Sequence, residues 1–204
     1  MSLRILVAIV VATVLAFSWG GFAWTSGLYE GWAFRPLPQD SGPPNDLSER
    51  LAGALRESGA YVYPGWPVTE GVSEQQAKLA MASWEAQREA GPQMMVLVNH
   101  QGIAASGDMT MARGFVLEFF TSAIIAVVIA IAAKFGAHAQ DRIAIAFAMA
   151  AFAVCAGPAV QWNFLHLPDS YALAMGIDTF MAWLLAGLAC ALIIRPLKRG
   201  EKVA

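Results

Sequence analysis

The sequence predicts an integral membrane α-helical protein, with four transmembrane helices and a small α/β extracytoplasmic domain inserted between the first and the second. The chain has four long apolar stretches, one extended polar block, and a composition that is 57% hydrophobic and 14% charged. The apolar stretches, called spans 1 to 4, are residues 5–24, 114–133, 143–160 and 172–194, and the polar block is residues 26–112. Each span is close to the length of about 20 residues that a helix needs to cross the hydrocarbon of a bilayer.

The composition also excludes an ordinary soluble protein. Soluble domains average about 25% charged residues, and this chain combines far fewer with a mean hydropathy of +0.52. We therefore divide the chain into residues 1–25 as transmembrane helix 1, residues 26–112 as the extracytoplasmic domain, and residues 113–204 as a three-helix transmembrane region with a basic tail. The two cysteines, Cys155 and Cys190, fall inside spans 3 and 4. They are interpreted as small packing residues with no redox role.

Basic residues indicate the orientation of the spans, because Lys and Arg near span ends remain mostly on the cytoplasmic side. They flank the N-terminus, the connection between spans 2 and 3, and the C-terminal tail: Arg4, Lys134, Arg142, Arg195, Lys198, Arg199 and Lys202. We expect a multi-pass protein of a bacterial inner membrane with both termini in the cytoplasm. The block 26–112 and the loop 161–170 are then periplasmic.

Span 1 is interpreted as an uncleaved anchor. It is longer than the apolar region of a signal peptide and ends in bulky aromatic residues where a cleavage site has small ones. Tryptophans are enriched where a membrane protein meets the interface. We expect an aromatic belt at the outer interface formed by Trp19, Trp24, Trp32 and Trp162.

The polar block contains the pattern of two helices and two strands. Asp46 is a candidate N-cap for a short amphipathic helix that Gly59 ends, and Ser73 with Gln76 forms a capping box for a second helix that ends at Gly91. Residues 60–63 and 94–98 are apolar runs typical of short strands, the second of the kind buried on both faces. A strand, a helix and a strand in this order predict a right-handed βαβ unit with parallel strands.

Two strands alone make a marginal sheet. We therefore expect either a third strand from residues 102–105 or 32–35, or support from the surface of a neighbouring protein. The block carries ten acidic residues against five basic ones. This acidic balance argues against nucleic acid as a partner, so the expected partners are membrane lipid and other membrane-protein subunits.

Four polar residues near the outer ends of the spans are the candidate functional cluster. They are Glu118 on span 2, His166 and Asp169 in the loop before span 4, and Asp178 on span 4. Carboxylates at membrane depth commonly face a bundle interior or a water-filled cleft. A carboxylate–imidazole site for a metal or a proton relay is one interpretation. The favoured interpretation is that these groups are wetted by interfacial water, or paired with Arg113 and with each other.

Small residues repeat along spans 3 and 4 at close to helical spacing. Such stripes let helix backbones approach closely in lipid. The candidate packing residues are Ala146, Ala150 and Gly157 on span 3, and Ala182, Ala186 and Gly187 on span 4. The stripes indicate packing within the chain or association with another subunit. The pair Gly157-Pro158 is expected to kink or end span 3.

Three short segments carry a resemblance to other proteins: the run Gln161-Trp162-Asn163-Phe164, the Pro168-Asp169 pair after it, and the ending Ile194-Arg195-Pro196. Through them the chain resembles bacterial membrane proteins that have one span, a small outer domain and three further spans. The resemblance implies a topology and no activity. The sequence has no haem-attachment motif, phosphate-binding loop, nucleophile elbow or His-Glu-x-x-His motif. We expect no cofactor, no metal site and no catalytic residue.

These observations favour a non-catalytic accessory or scaffold subunit of a larger bacterial inner-membrane complex, of an energy-converting kind. Two alternatives stay open. The first is an extracytoplasmic ligand-binding or sensing membrane protein. The second is a membrane metal or proton-relay enzyme that uses the outer carboxylates and His166.

Overall fold

The computed structural model describes residues 3–37, 47–102 and 107–196. The chain forms two compact units, one from Met1–Arg35 with Ala105–Ala204 and one from Pro36–Ala104. The elements in chain order are α1 (Leu3–Thr25), α2 (Leu47–Ala54), β1 (Gly59–Tyr63), α3 (Glu74–Ala90), β2 (Met94–Val98), α4 (Asp108–Lys134), α5 (Ala139–Val154), a π-helical turn (Cys155–Ala159), α6 (Val160–Leu165) and α7 (Asp169–Ile193). The first unit is a helical bundle and the second is a small α/β unit.

The bundle contains four helices that are long and apolar enough to cross a membrane, in agreement with the four predicted spans. The third of them differs most from its predicted bounds, because it continues through Pro158 to Leu165. Proline lacks the N–H that an α-helix needs, and here the π-helical turn accommodates it. The expectation that span 3 could end at Gly157-Pro158 is therefore wrong, and the irregular backbone expected there takes the form of the π-helical turn. The loop predicted at 161–170 is reduced to a connection of three residues, in which His166 has a left-handed backbone with a φ of 51°.

Small residues form the interior of the bundle, where α7 packs against α1, α4 and α5. Ala8, Ala12 and Ala16 repeat every fourth residue along α1 and are fully buried. This spacing places them on one face of the helix, and it is a small-residue stripe that the sequence analysis did not single out. Of the two cysteines, Cys190 is buried in the same core, whereas Cys155 is exposed.

The predicted stripes on spans 3 and 4 meet at Gly187 and Ala146. Ala146, Ala150 and Ala186 are buried, and Ala182 packs at the edge of the same core. Gly157 differs from the prediction, since no atom lies within 4 Å of the position that a Cβ on it would occupy. It belongs to the π-helical turn, and the position of its missing side chain faces open space.

Arg142, which was counted among the basic flanking residues, is 4% exposed. Its Nε donates to the carbonyl oxygen of Ala191 at 3.0 Å, and one terminal nitrogen donates to that of Ala137 at 2.7 Å. Ala191 lies in the last turn of α7, where carbonyl groups lack helical partners. Arg142 therefore caps α7 and links it to the connection between α4 and α5.

The two predicted helices of the small unit are present. The capping box of Ser73 and Gln76 begins α3, and Gly91 ends it, as predicted. The first helix ends at Ala54, before the predicted stop at Gly59. The candidate N-cap Asp46 lies outside the described residues.

The sheet differs from the prediction, because β1 and β2 are antiparallel, with Gly59 opposite Val98 and Tyr63 opposite Met94. A βαβ unit requires its helix to pack on the sheet, but the described α3 has no extensive contact with either strand. Without that packing, the antiparallel pairing, which is slightly more stable per residue, is free to form. No residue of β2 is fully buried either, contrary to the prediction of a strand buried on both faces.

The described residues contain no third strand. Residues 32–35 contribute only to an isolated bridge between Glu30 and Phe34, within the bundle unit. Residues 103–105 of the other predicted strand lie outside the described part of the chain. His100 lies two residues after the end of β2. Its Nε2 is 2.7 Å from the carbonyl oxygen of Leu55, and its backbone N–H donates to Ser58 Oγ.

Candidate functional site

The most elaborate polar arrangement in the bundle surrounds Asp178, which lies in the third turn of α7. Three aromatic side chains donate hydrogen bonds to its carboxylate. Trp19 Nε1 donates to Oδ1 at 3.0 Å, and Trp24 Nε1 donates to Oδ2 at 3.1 Å. The hydroxyl of Tyr29 donates to Oδ1 at 3.3 Å. Neutral donors therefore replace the water that would otherwise solvate the negative charge. We call these four residues the aspartate cap.

The turn after α1 positions Tyr29. Gly27 and Gly31 have φ values of 76° and 79°, a left-handed conformation that side chains disfavour and glycine adopts readily. The backbone N–H groups of Ala33 and Phe34 both donate to the carbonyl oxygen of Tyr29, and these bonds close the turn. The chain thus folds back after α1 and directs the Tyr29 ring toward α7.

Aromatic side chains pack around Trp24 and Tyr29 of the aspartate cap. Trp24 has edge-to-face contacts with Tyr29 and Phe34, at centroid distances of 5.5 and 5.3 Å. Phe34 in turn contacts Tyr171 on α7 at 5.4 Å. Tyr29 itself is only 3% exposed and lies in a small buried cluster with Ala23 and Ala174. The aspartate cap therefore packs α1 and the turn after it against α7.

Burial and the adjacent negative charge both act on the Tyr29 hydroxyl. Burial is the larger cause, followed by the charge of Asp178 and the hydrogen bond to it, and together they raise the pKa of Tyr29 from 10.0 to about 12. A phenolate at this position would face the carboxylate without a proton between them. Tyr29 therefore remains a protonated hydrogen-bond donor throughout the physiological pH range.

Glu118 is the second carboxylate of the predicted cluster, and its hydrogen-bonding environment is more local. It is half-buried on α4. The hydroxyl of Thr121, three residues later, lies 3.2 Å from Glu118 Oε2 and 3.0 Å from the Glu118 carbonyl oxygen. This donor belongs to the same helix, whereas the donors to Asp178 come from another part of the chain.

The other two predicted cluster residues lie at the short connection before α7. Asp169 is the first residue of α7, and its Oδ1 accepts a hydrogen bond from Trp162 Nε1 at 2.8 Å. His166 ends α6. Within the described ranges, no group of three or more His, Cys, Asp and Glu residues has an arrangement that could hold a metal ion.

Each tryptophan of the predicted aromatic belt donates a hydrogen bond to a specific partner within the chain. Trp19 and Trp24 donate to Asp178, and Trp162 donates to Asp169. Trp32 donates to the carbonyl oxygen of Leu28 at 2.7 Å. Sequence reasoning identified these tryptophans and Asp178 separately but did not pair them, and it did not select Tyr29. The sequence does contain a pattern that could have pointed to Tyr29. Gly27 and Gly31 flank it, and such a pair of glycines predicts a tight turn after span 1.

No protein-family model, curated protein or solved structure matches the chain. The arrangement of its own residues is therefore the basis for a functional proposal.

Proposed function

We propose that this chain is a non-catalytic accessory or scaffold subunit of a larger membrane complex, and that its small α/β unit binds a partner protein. The four long apolar helices support a multi-pass membrane protein. The observation that carries the proposal is the lack of a core in the small unit. Between residues 47 and 102, all of which are described, no residue is fully buried.

Large apolar side chains of the small unit are instead directed outward. Trp66 is 79% exposed and Leu97 is 71% exposed, and Val68 and Leu79 are exposed to a similar degree. Contiguous apolar surface marks interaction sites, and we propose that these side chains belong to the face that binds the partner. A sheet of two strands also leaves an unpaired edge on each strand. A partner surface would supply the burial that this unit lacks.

The aspartate cap supports a structural role for the bundle. Each identified partner of Asp178 is a neutral donor held by aromatic packing, an arrangement suited to fixing two helices together. The interior contact of Gly187 with Ala146 likewise allows close helix packing. A rigid bundle that anchors an incompletely buried domain is the architecture expected of a scaffold subunit.

We further propose a bacterial inner-membrane location with both termini in the cytoplasm and residues 26–112 in the periplasm. Arg142 is buried and bonded to carbonyl groups, so it does not indicate the orientation. The other basic residues near the span ends support the proposed orientation. Reporter fusions placed after Arg199 and near Gly71 should lie in opposite compartments, the first cytoplasmic and the second periplasmic. Both reporters in one compartment would contradict the topology.

The partner is tested by extracting the full chain in mild detergent and measuring the mass of the intact complex by native mass spectrometry. We expect the chain in a stoichiometric assembly with another protein. Leu97→Gln and Val68→Gln should release that protein, whereas Lys78→Gln, at an exposed charged position on α3, should retain it. A solitary wild-type monomer would overturn the scaffold proposal. A monomer that retains a small ligand would favour the binding or sensing alternative instead.

A further inference from the structure

The bundle has a second feature, an apolar groove on its surface. The groove has a volume of about 790 Å³ and lies between the first half of α7 and the segment that joins α5 to α6. Its walls include Val154, Pro158, Leu173 and Phe180. The π-helical turn forms part of one wall, so the irregular helix that accommodates Pro158 also shapes the groove.

The groove has one polar end. Trp162 and Asp169 line it there, and Trp162 donates its indole hydrogen bond to one carboxylate oxygen. A carboxylate can accept about four hydrogen bonds, so this bond leaves Asp169 with capacity for a further donor. The remaining lining carries no charged group. An occupant that matches the groove therefore has a long apolar part and a single cationic or donor group at one end.

The size of the groove suits a small occupant. Its volume lies in the range of sites for small molecules, about 300–1,000 Å³. A flexible hydrocarbon chain fits such a groove.

We propose that the groove binds one acyl chain of a phospholipid whose head group carries a primary ammonium, with the ammonium at Asp169. Ammonium and carboxylate form a charge-assisted hydrogen bond, and the acyl chain covers the apolar walls. An anionic head group would be repelled by the same carboxylate. The inference rests on the membrane placement proposed above.

The test uses the full chain in nanodiscs containing equal amounts of phosphatidylethanolamine and phosphatidylglycerol with identical acyl chains. After gentle extraction, native mass spectrometry measures which lipid remains bound. The wild type should retain phosphatidylethanolamine in preference by about fivefold to tenfold, as one charge-assisted contact allows. Asp169→Asn should lose that preference. Asp108→Asn, which removes a carboxylate in the first turn of α4 away from the groove, should keep it.

A second pair of variants tests the apolar part. Ala159→Phe fills the groove and should lower total retained lipid, whereas Ala148→Phe, at an exposed α5 position outside the lining, should not. The single exposed cysteine gives an independent readout among the described residues, because Cys155 lines the groove and Cys190 is buried. Bound lipid should slow alkylation of Cys155 in the wild type and not in Ala159→Phe.

Three results would overturn the lipid site: equal retention of both lipids by the wild type, preference for phosphatidylglycerol, or unchanged preference in Asp169→Asn. A partner helix that protects Cys155 in place of lipid would overturn it as well. Failure of the proposed function is distinguishable. A chain that fractionates with membranes and holds its partner protein, but retains no phosphatidylethanolamine, refutes the lipid site alone.

Discussion

Gly187 on α7 lies against Ala146 on α5 so closely that a Cβ added to the glycine would lie 2.7 Å from the Ala146 Cβ and 3.1 Å from its Cα. Real Cβ atoms do not approach another carbon to 2.7 Å. The two backbones are therefore as close as their residues allow. This contact lies in the buried cluster that joins α1, α4, α5 and α7.

Gly187→Ala should destabilise the bundle by about 1–3 kcal/mol, the usual cost of overpacking a dense core. Thermal unfolding in detergent measures the effect. Gly157→Ala is the matched control, because its added methyl group meets no atom within 4 Å. The double variant Gly187→Ala with Ala146→Gly should recover part of the loss, since it removes the closer of the two contacts. Equal stability of the Gly187 and Gly157 variants would contradict this packing.

Asp178→Asn should lower stability by about 1–3 kcal/mol. The amide presents only one acceptor oxygen, so at least one of the donors from Trp19, Trp24 and Tyr29 loses its acceptor. Glu118→Gln should have a smaller effect, because its donor Thr121 comes from the same helix. Metal analysis accompanies both variants and the parent protein. Stoichiometric metal in the parent, lost in either variant, would support the metal-enzyme alternative over the scaffold.

The raised pKa of Tyr29 predicts a loss of stability at high pH. Below pH 10 the hydroxyl is protonated in both the folded and the unfolded chain, so its contribution is fully present. Between pH 10 and about 12, the unfolded tyrosine ionises while the folded one keeps its proton. Stability should then fall by about 1.4 kcal/mol per pH unit from this group.

Denaturation in detergent across this pH range measures that loss, with Tyr29→Phe as the reference. The difference between the two proteins should shrink as the pH rises, because phenylalanine has no proton to lose. A difference that stays constant from pH 9 to about 12 would show that the tyrosine ionises alike in both states. The tyrosinate absorbance of the folded protein gives a second, direct measurement of the titration.

Arg142→Gln should destabilise the end of the bundle where α7 finishes, by about 2–4 kcal/mol. The substitution loses charge-assisted hydrogen bonds to the carbonyl groups of Ala191 and Ala137. Arg142→Lys should not restore stability fully, since a lysine lacks the planar fork that reaches two acceptors. Arg195→Gln is the control, because Arg195 is exposed and its bond to Leu192 is long, at 3.5 Å. Hydrogen exchange at the end of α7 would locate the effect.

Local patterns in the sequence determined several features that the structure confirms. The four apolar spans, the capping box at Ser73 and the end of α3 at Gly91 depend on residues close together in the chain. Hydrophobic period and cap chemistry act over one or two helical turns, so a linear reading detects them. The burial of Ala146, Ala150 and Ala186 follows in the same way from their spacing.

The tertiary structure alone decided which distant residues meet. Asp178 lies 159 residues from Trp19 and 149 from Tyr29, and no local pattern encodes such a pairing. Strand direction was likewise predicted wrongly, as parallel. The segment between β1 and β2 is long enough for either return, and no local pattern specifies which one forms. Arg142 shows the same principle. A positive charge beside a span predicts a solvated flank, and only the approach of the α7 carbonyls makes it a buried cap.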